Sequence, residues 1–143
     1  MFLNDLGEAE KRTFLILAKK MVSADGRVTT EEREMLKDAQ EEMGLYATEN
    51  SLAGNDNLDN CCRSVVSSRA RVLMLLELAS FAFIDHDYDA RERELLRSVA
   101  NIWKLDDISV MRIEEWARKR VELSTEAAEV IHEIATFPNQ QMS

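Results

Sequence analysis

The chain has 143 residues with 18 Lys and Arg against 27 Asp and Glu, a formal charge of -9, so non-specific attraction to phosphate backbones is excluded and no nucleic-acid partner is expected. Its length suits a single domain, and a lone proline with four glycines among abundant Ala, Leu, Glu, Lys, Arg and Met favours helix throughout. The two cysteines, Cys61 and Cys62, are sequence neighbours and make a poor structural disulfide, which points to a reducing cytoplasmic setting.

The N-terminal MFLNDLGEAEKR has three acids before any base and no long apolar run, so a secretory signal is not expected. A first helix is predicted over residues 7–24, with Phe14, Leu15, Leu17, Ala18, Met21 and Val22 at helical spacing and Gly26 as its stop. The second runs over 30–43 with Gly44 as C-terminal cap. The polar stretch ATENSLAGNDNLDN, within residues 46–60, is the internal linker. A third helix follows over 67–84. Its run VLMLLELASFAFI is thirteen residues long and contains Glu77, too short for a membrane span of about 20, and is expected in the core. The fourth covers 90–103. Asp107 or Ser109 caps a fifth to residue 123, and Ser124 or Thr125 a sixth that ends before Phe137 and Pro138.

The expected fold is thus all-α, a bundle of about six to seven helices in one domain over 1–143. A shift of sixty residues lays 14–45 over 74–105 without a gap. Leu15, Asp25, Glu32, Arg33, Glu34, Leu36 and Leu45 then meet identical residues in Leu75, Asp85, Glu92, Arg93, Glu94, Leu96 and Leu105. The clustering of these identities at the turn points to a duplicated helical hairpin. Repeat one covers about 8–45, repeat two about 67–105, and C-terminal helices occupy 107–136.

The run SADGRVTTEEREML and its echo FIDHDYDARERELL resemble the tellurite-resistance TerB-like family, over residues 8 to about 135. The first turn, ADG followed by Glu32, carries the closer match; in the second, His86 stands where the first has Gly26. The resemblance implies a cytoplasmic, non-enzymatic module linked to stress response, with metal proposed at acidic positions that correspond here to Asp25, Glu32, Asp85 and Glu92.

Read from the residues alone, Thr29 with Glu32 and Asp89 with Glu92 have the spacing of a capping box, which accounts for both glutamates. Asp25 and Asp85 end helices, where the dipole disfavours an acid by about 0.3 to 1 kcal/mol, and each requires a turn hydrogen bond or a cation. Asp85, Asp87 and Asp89 match positions 1, 3 and 5 of a calcium loop, but Ala90 replaces the required Gly and Leu96 the bidentate Glu, so an ordinary EF-hand is rejected. Together with Glu92 these acids offer hard oxygens for Ca²⁺ or Mg²⁺. A zinc site lacks ligands, since His86 is the only nitrogen nearby.

Elsewhere Trp103 and Trp116 are expected in the core, His132 on a helix face, and the basic ARKRV of residues 117–121 on a solvated face. No nucleophile elbow, phosphate loop or metalloprotease helix occurs, and no catalytic residue is assigned. Three functions are consistent with this pattern: an interaction module with a divalent cation in its acidic turns, a metal-free adaptor, and a metal-dependent hydrolase working through Asp87 and Glu92. The partners expected are proteins, including one that recruits the chain to a membrane surface, or further copies of the chain.

Overall fold

The computed structural model describes residues 2–23, 29–44, 57–84 and 90–136. A short 3-10 turn, Leu3–Asp5, precedes six helices among the described residues: α1 Glu8–Val22, α2 Thr30–Met43, α3 Leu58–Arg63, α4 Ser68–Phe83, α5 Ala90–Ile102 and α6 Asp107–Thr136. No strand occurs among the described residues, and the all-α class is as expected.

Helix α4 is the centre of the molecule. Ten of its sixteen residues are buried, on every side of the helix, so it must be covered all round rather than on one stripe. It packs against α1, α5 and α6. Phe14 of α1 meets Phe81 of α4 with ring centroids 6.3 Å apart and tilted by 49°, a favourable arrangement for two aromatic quadrupoles. The amphipathic helices show only a stripe: α2 buries Glu32, Ala39 and Met43, and α5 buries Glu92, Leu96, Val99 and Ala100.

Caps decide where the helices begin. Glu10 Oε1 accepts from the Gly7 N–H at 2.8 Å, the Asn57 side chain accepts from Asn60 N–H at 2.8 Å, and Ser67 Oγ accepts from Ala70 N–H at 3.2 Å. Three differences from the sequence expectation follow from local hydrogen bonding. The cap of α6 is Asp106, whose Oδ1 accepts from Ser109 N–H at 2.8 Å, in place of Asp107 or Ser109. The predicted fifth and sixth helices are one. The Thr125 hydroxyl, expected to cap a new helix, donates instead to the Val121 carbonyl at 3.1 Å, and the helix continues through it. Finally, part of the predicted linker is helical, because Asn57 caps α3; residues 45–56 and the Gly26 stop lie outside the described residues.

Helices α2 and α5 begin at Thr30 and Ala90, sixty positions apart. Each is followed by a residue in the left-handed region, Gly44 with φ 73° and Lys104 with φ 60°, again sixty apart. The Lys104 N–H bonds the Asn101 carbonyl and the Leu105 N–H the Ala100 carbonyl, both at 3.0 Å, the paired closure of a Schellman end. Lysine fills there a conformation that glycine adopts without steric cost. Lys104→Gly is therefore expected to raise unfolding free energy by about 1 kcal/mol in urea titration; a loss of stability would show that the Lys104 side chain contributes more than its backbone costs.

Candidate functional site

Of the six acidic positions expected to hold a metal, two belong to described helices. Glu32 and Glu92 both occupy the third position of their helix, α2 and α5, and both are buried, at 2 % and 3 % exposure. Asp25, Asp85, Asp87 and Asp89 lie outside the described residues. Among the described residues, no group of three or more His, Cys, Asp or Glu side chains could hold a metal ion.

The capping role of Glu32 is present as expected. Thr29 Oγ1 accepts from the Glu32 N–H, and Glu32 Oε1 accepts from the Thr29 N–H, both at 3.1 Å. A capping glutamate on a surface helix can do this while solvated; near-complete burial is more than the cap requires. Glu32 and Glu92 thus place carboxylates inside the protein at matching positions near the starts of α2 and α5.

A third buried carboxylate, Glu77 of α4, organises a different cluster. Arg120 Nη1 lies 3.0 Å from Glu77 Oε2 and donates also to Ser80 Oγ at 3.2 Å, while the Phe2 N–H donates to Glu77 Oε1 at 3.1 Å. The Arg120 guanidinium stacks 5.5 Å from the centre of the Trp116 ring, which in turn meets Phe2 at 5.7 Å. Burial pushes the Glu77 carboxyl up, but the Phe2 hydrogen bond and the Arg120 charge outweigh it and hold the group below its ordinary value. The pair opens on a cavity of about 310 Å³ lined also by Leu3, Met35 and Phe81. A carboxylate kept ionised by a fixed guanidinium is a poor general acid or base at neutral pH. Its role is to tie the N-terminal segment and α6 to the central helix.

Arg120 was expected on a solvated face with the rest of ARKRV. The structure divides that run: Ala117 and Val121 are buried, Arg120 turns inward to Glu77, and only Arg118 and Lys119 face solvent, Arg118 between Glu115 and Glu122. The signal for the inward arginine lay in Glu77, an acid inside an apolar helix, which demands a cation.

The remaining candidates are structural. Cys61 and Cys62 are buried, and the Cys62 thiol is pushed up to about 11 by burial, by Cys61 and by Asp59, which opposes a redox role. His132 is exposed near the end of α6. Trp103 is buried as expected and donates from Nε1 to the Cys62 carbonyl at 2.7 Å; Trp116 is only partly buried.

Helix α6 carries the surface that sequence reasoning missed. Ile108 and Met111 are 71 % and 63 % exposed, and with Arg112, Glu115, Trp116 and Lys119 they line a groove of about 510 Å³. A second groove of about 350 Å³ lies between α4 and α6, over Val72, Leu76, Leu105 and Trp116. Residues 122–136 are exposed without exception, including Leu123, Val130, Ile131 and Ile134. Splitting α6 into two helices had hidden this continuous face.

No protein-family model matches the chain, and neither a curated protein nor a solved structure matches it.

Proposed function

We propose that the chain is a non-enzymatic interaction module of TerB-like type, acting in the cytoplasm in a stress response by holding a protein partner against α6. The observation that carries this reading is the apolar exposure of Ile108 and Met111 at the rim of a groove. Scattered single hydrophobics are normal on a surface, but a contiguous apolar strip beside a cavity is where partners dock. A photo-crosslinker in place of Met111, in the cells that make the protein, is expected to join it to a different protein, and Ile108→Glu to abolish that adduct. Absence of any adduct other than with the chain itself would remove the partner from this reading.

A divalent cation is the companion reading, supported by the matched burial of Glu32 and Glu92, each a few residues after an acidic stretch of the sequence that holds Asp25 in one case and Asp85, Asp87 and Asp89 in the other. Ca²⁺ or Mg²⁺ then raises the melting temperature, because a ligand at about 100 times its dissociation constant stabilises by about 2.7 kcal/mol. Asp85→Asn combined with Asp87→Asn removes the rise. No shift at millimolar metal leaves the metal-free adaptor, in which Glu32 and Glu92 act as buried caps alone.

A further inference from the structure

We infer that the chain self-associates through α6, two copies packing this helix antiparallel about a two-fold axis close to Leu123. The inference goes beyond the docking of a different protein at Met111: it adds the second half of the helix and shares Arg112, Trp116 and Lys119 with that groove. From Asp107 to Thr136 α6 is unbroken, and its last fifteen residues are all exposed.

Three lines run along this helix at seven-residue spacing. Trp116, Leu123 and Val130 form the first, and Ala127 and Ile134 continue a second beside it, the alternating four-and-three spacing of a coiled-coil seam. Arg112, Lys119, Glu126 and Glu133 form the third, on the edge of that seam. All four are exposed. Lys119 is 3.6 Å from Glu115, with its side chain still 68 % exposed.

The charge order on this edge, two bases then two acids, selects the occupant. Between residues 122 and 136 there are four glutamates and no Lys or Arg, so an anionic membrane surface is repelled. A uniformly basic partner helix would satisfy Glu126 and Glu133 but set like charge against Arg112 and Lys119. A parallel second copy would oppose each charge to itself. An antiparallel second copy instead brings Glu133 to Arg112 and Glu126 to Lys119, since both pairs are centred between Glu122 and Leu123. Each contact then occurs twice, as an isologous interface requires. From Arg112 to Ile134 the seam is about 33 Å long at 1.5 Å per residue. The incoming arm runs toward the groove at Val72, Leu76 and Trp116, which offers it further apolar surface.

Sedimentation of the full chain tests this. Wild type is expected at twice the chain mass in the micromolar range, and Leu123→Glu with Val130→Glu to weaken dimerisation at least about tenfold with unchanged circular dichroism, because both side chains are exposed. Glu126→Lys with Glu133→Lys is expected to weaken it similarly, and mixing that variant with Arg112→Glu, Lys119→Glu to restore a dimer. For orientation, Leu123→Cys should form an intermolecular disulfide and Ile134→Cys should not, the native cysteines being buried. Wild type that stays monomeric to about 100 μM, a dimer indifferent to the charge reversals, or Ile134→Cys linking as readily as Leu123→Cys would each overturn the proposal.

Discussion

Replacing Arg120 by alanine is expected to lower the stability of the fold by about 3 to 5 kcal/mol, because it strands the Glu77 carboxylate in the interior. Arg120 contributes more than charge to the site: it bonds Ser80 and stacks on Trp116, so its loss loosens the contact between α4 and α6 on two sides. For a chain of this length the melting temperature should fall by on the order of 10 °C. The double variant Glu77→Leu, Arg120→Leu removes both charges and should cost less than Arg120→Ala alone, since an apolar pair of similar volume needs no desolvation. Thermal melts of wild type, Arg120→Ala, Glu77→Leu, Arg120→Leu and the double variant decide the point; a double variant as costly as the sum of its two single changes would show that the two groups are not coupled.

The same pair sets part of the acid sensitivity. The Glu77 carboxyl sits below its ordinary value of 4.5 in the folded chain, so its contribution is complete above that value and is lost as pH falls through the lower folded one. The stability gap between wild type and Glu77→Gln should accordingly be flat near neutrality and shrink in acid.

Trp103→Ala is the second large change, expected to cost about 3 to 5 kcal/mol as a buried aromatic truncation. Trp103 lies on the turn after α5, yet its ring nitrogen serves the last turn of α3, forty-one residues earlier, and Arg71 of α4 lies 5.9 Å from the centre of its ring. Removing it leaves a cavity and an unsatisfied Cys62 carbonyl. Trp103→Phe keeps most of the apolar burial and forfeits the hydrogen bond, so about 1 to 3 kcal/mol is expected. Because α3 is then released, Cys61 and Cys62 should react faster with a thiol reagent in Trp103→Ala than in wild type. Equal thiol reactivity in the two proteins would mean that α3 is held by other contacts.

Helices with strong end signals were legible in the sequence. Thr29 and Gly44 frame α2 at both ends, and α5 was placed to within one residue. The apolar run of residues 72–84 identified α4 as the core helix. What failed was the use of Ser and Thr as caps near residue 124: a hydroxyl serves a helix start or bonds back to the preceding turn with equal chemistry, and only the continuing backbone distinguishes them. Helix α3 was concealed by polar composition, since LDNCCR has just three apolar residues and depends on burial of both cysteines. The partnership of Glu77 with Phe2 and Arg120 spans 75 and 43 residues, and no local pattern encodes such separations. In the first turn Glu32 was correctly assigned as a capping residue, but the burial of Glu32 and Glu92 depends on packing that spacing alone does not reveal.

The continuity of α6 also has a bearing on folding. A free fifteen-residue segment is at the margin of helix formation in water, because the first turn must be nucleated at a cost no later bond repays quickly. In this chain the first half of α6, buried through Val110, Ile113, Ala117 and Val121, supplies that nucleus. The second half, exposed at every residue from 122 to 136, propagates it, one bond per residue. Its helical state is borrowed from the bundle, and the Val121 turn, where Thr125 bonds back, is where that loan is made.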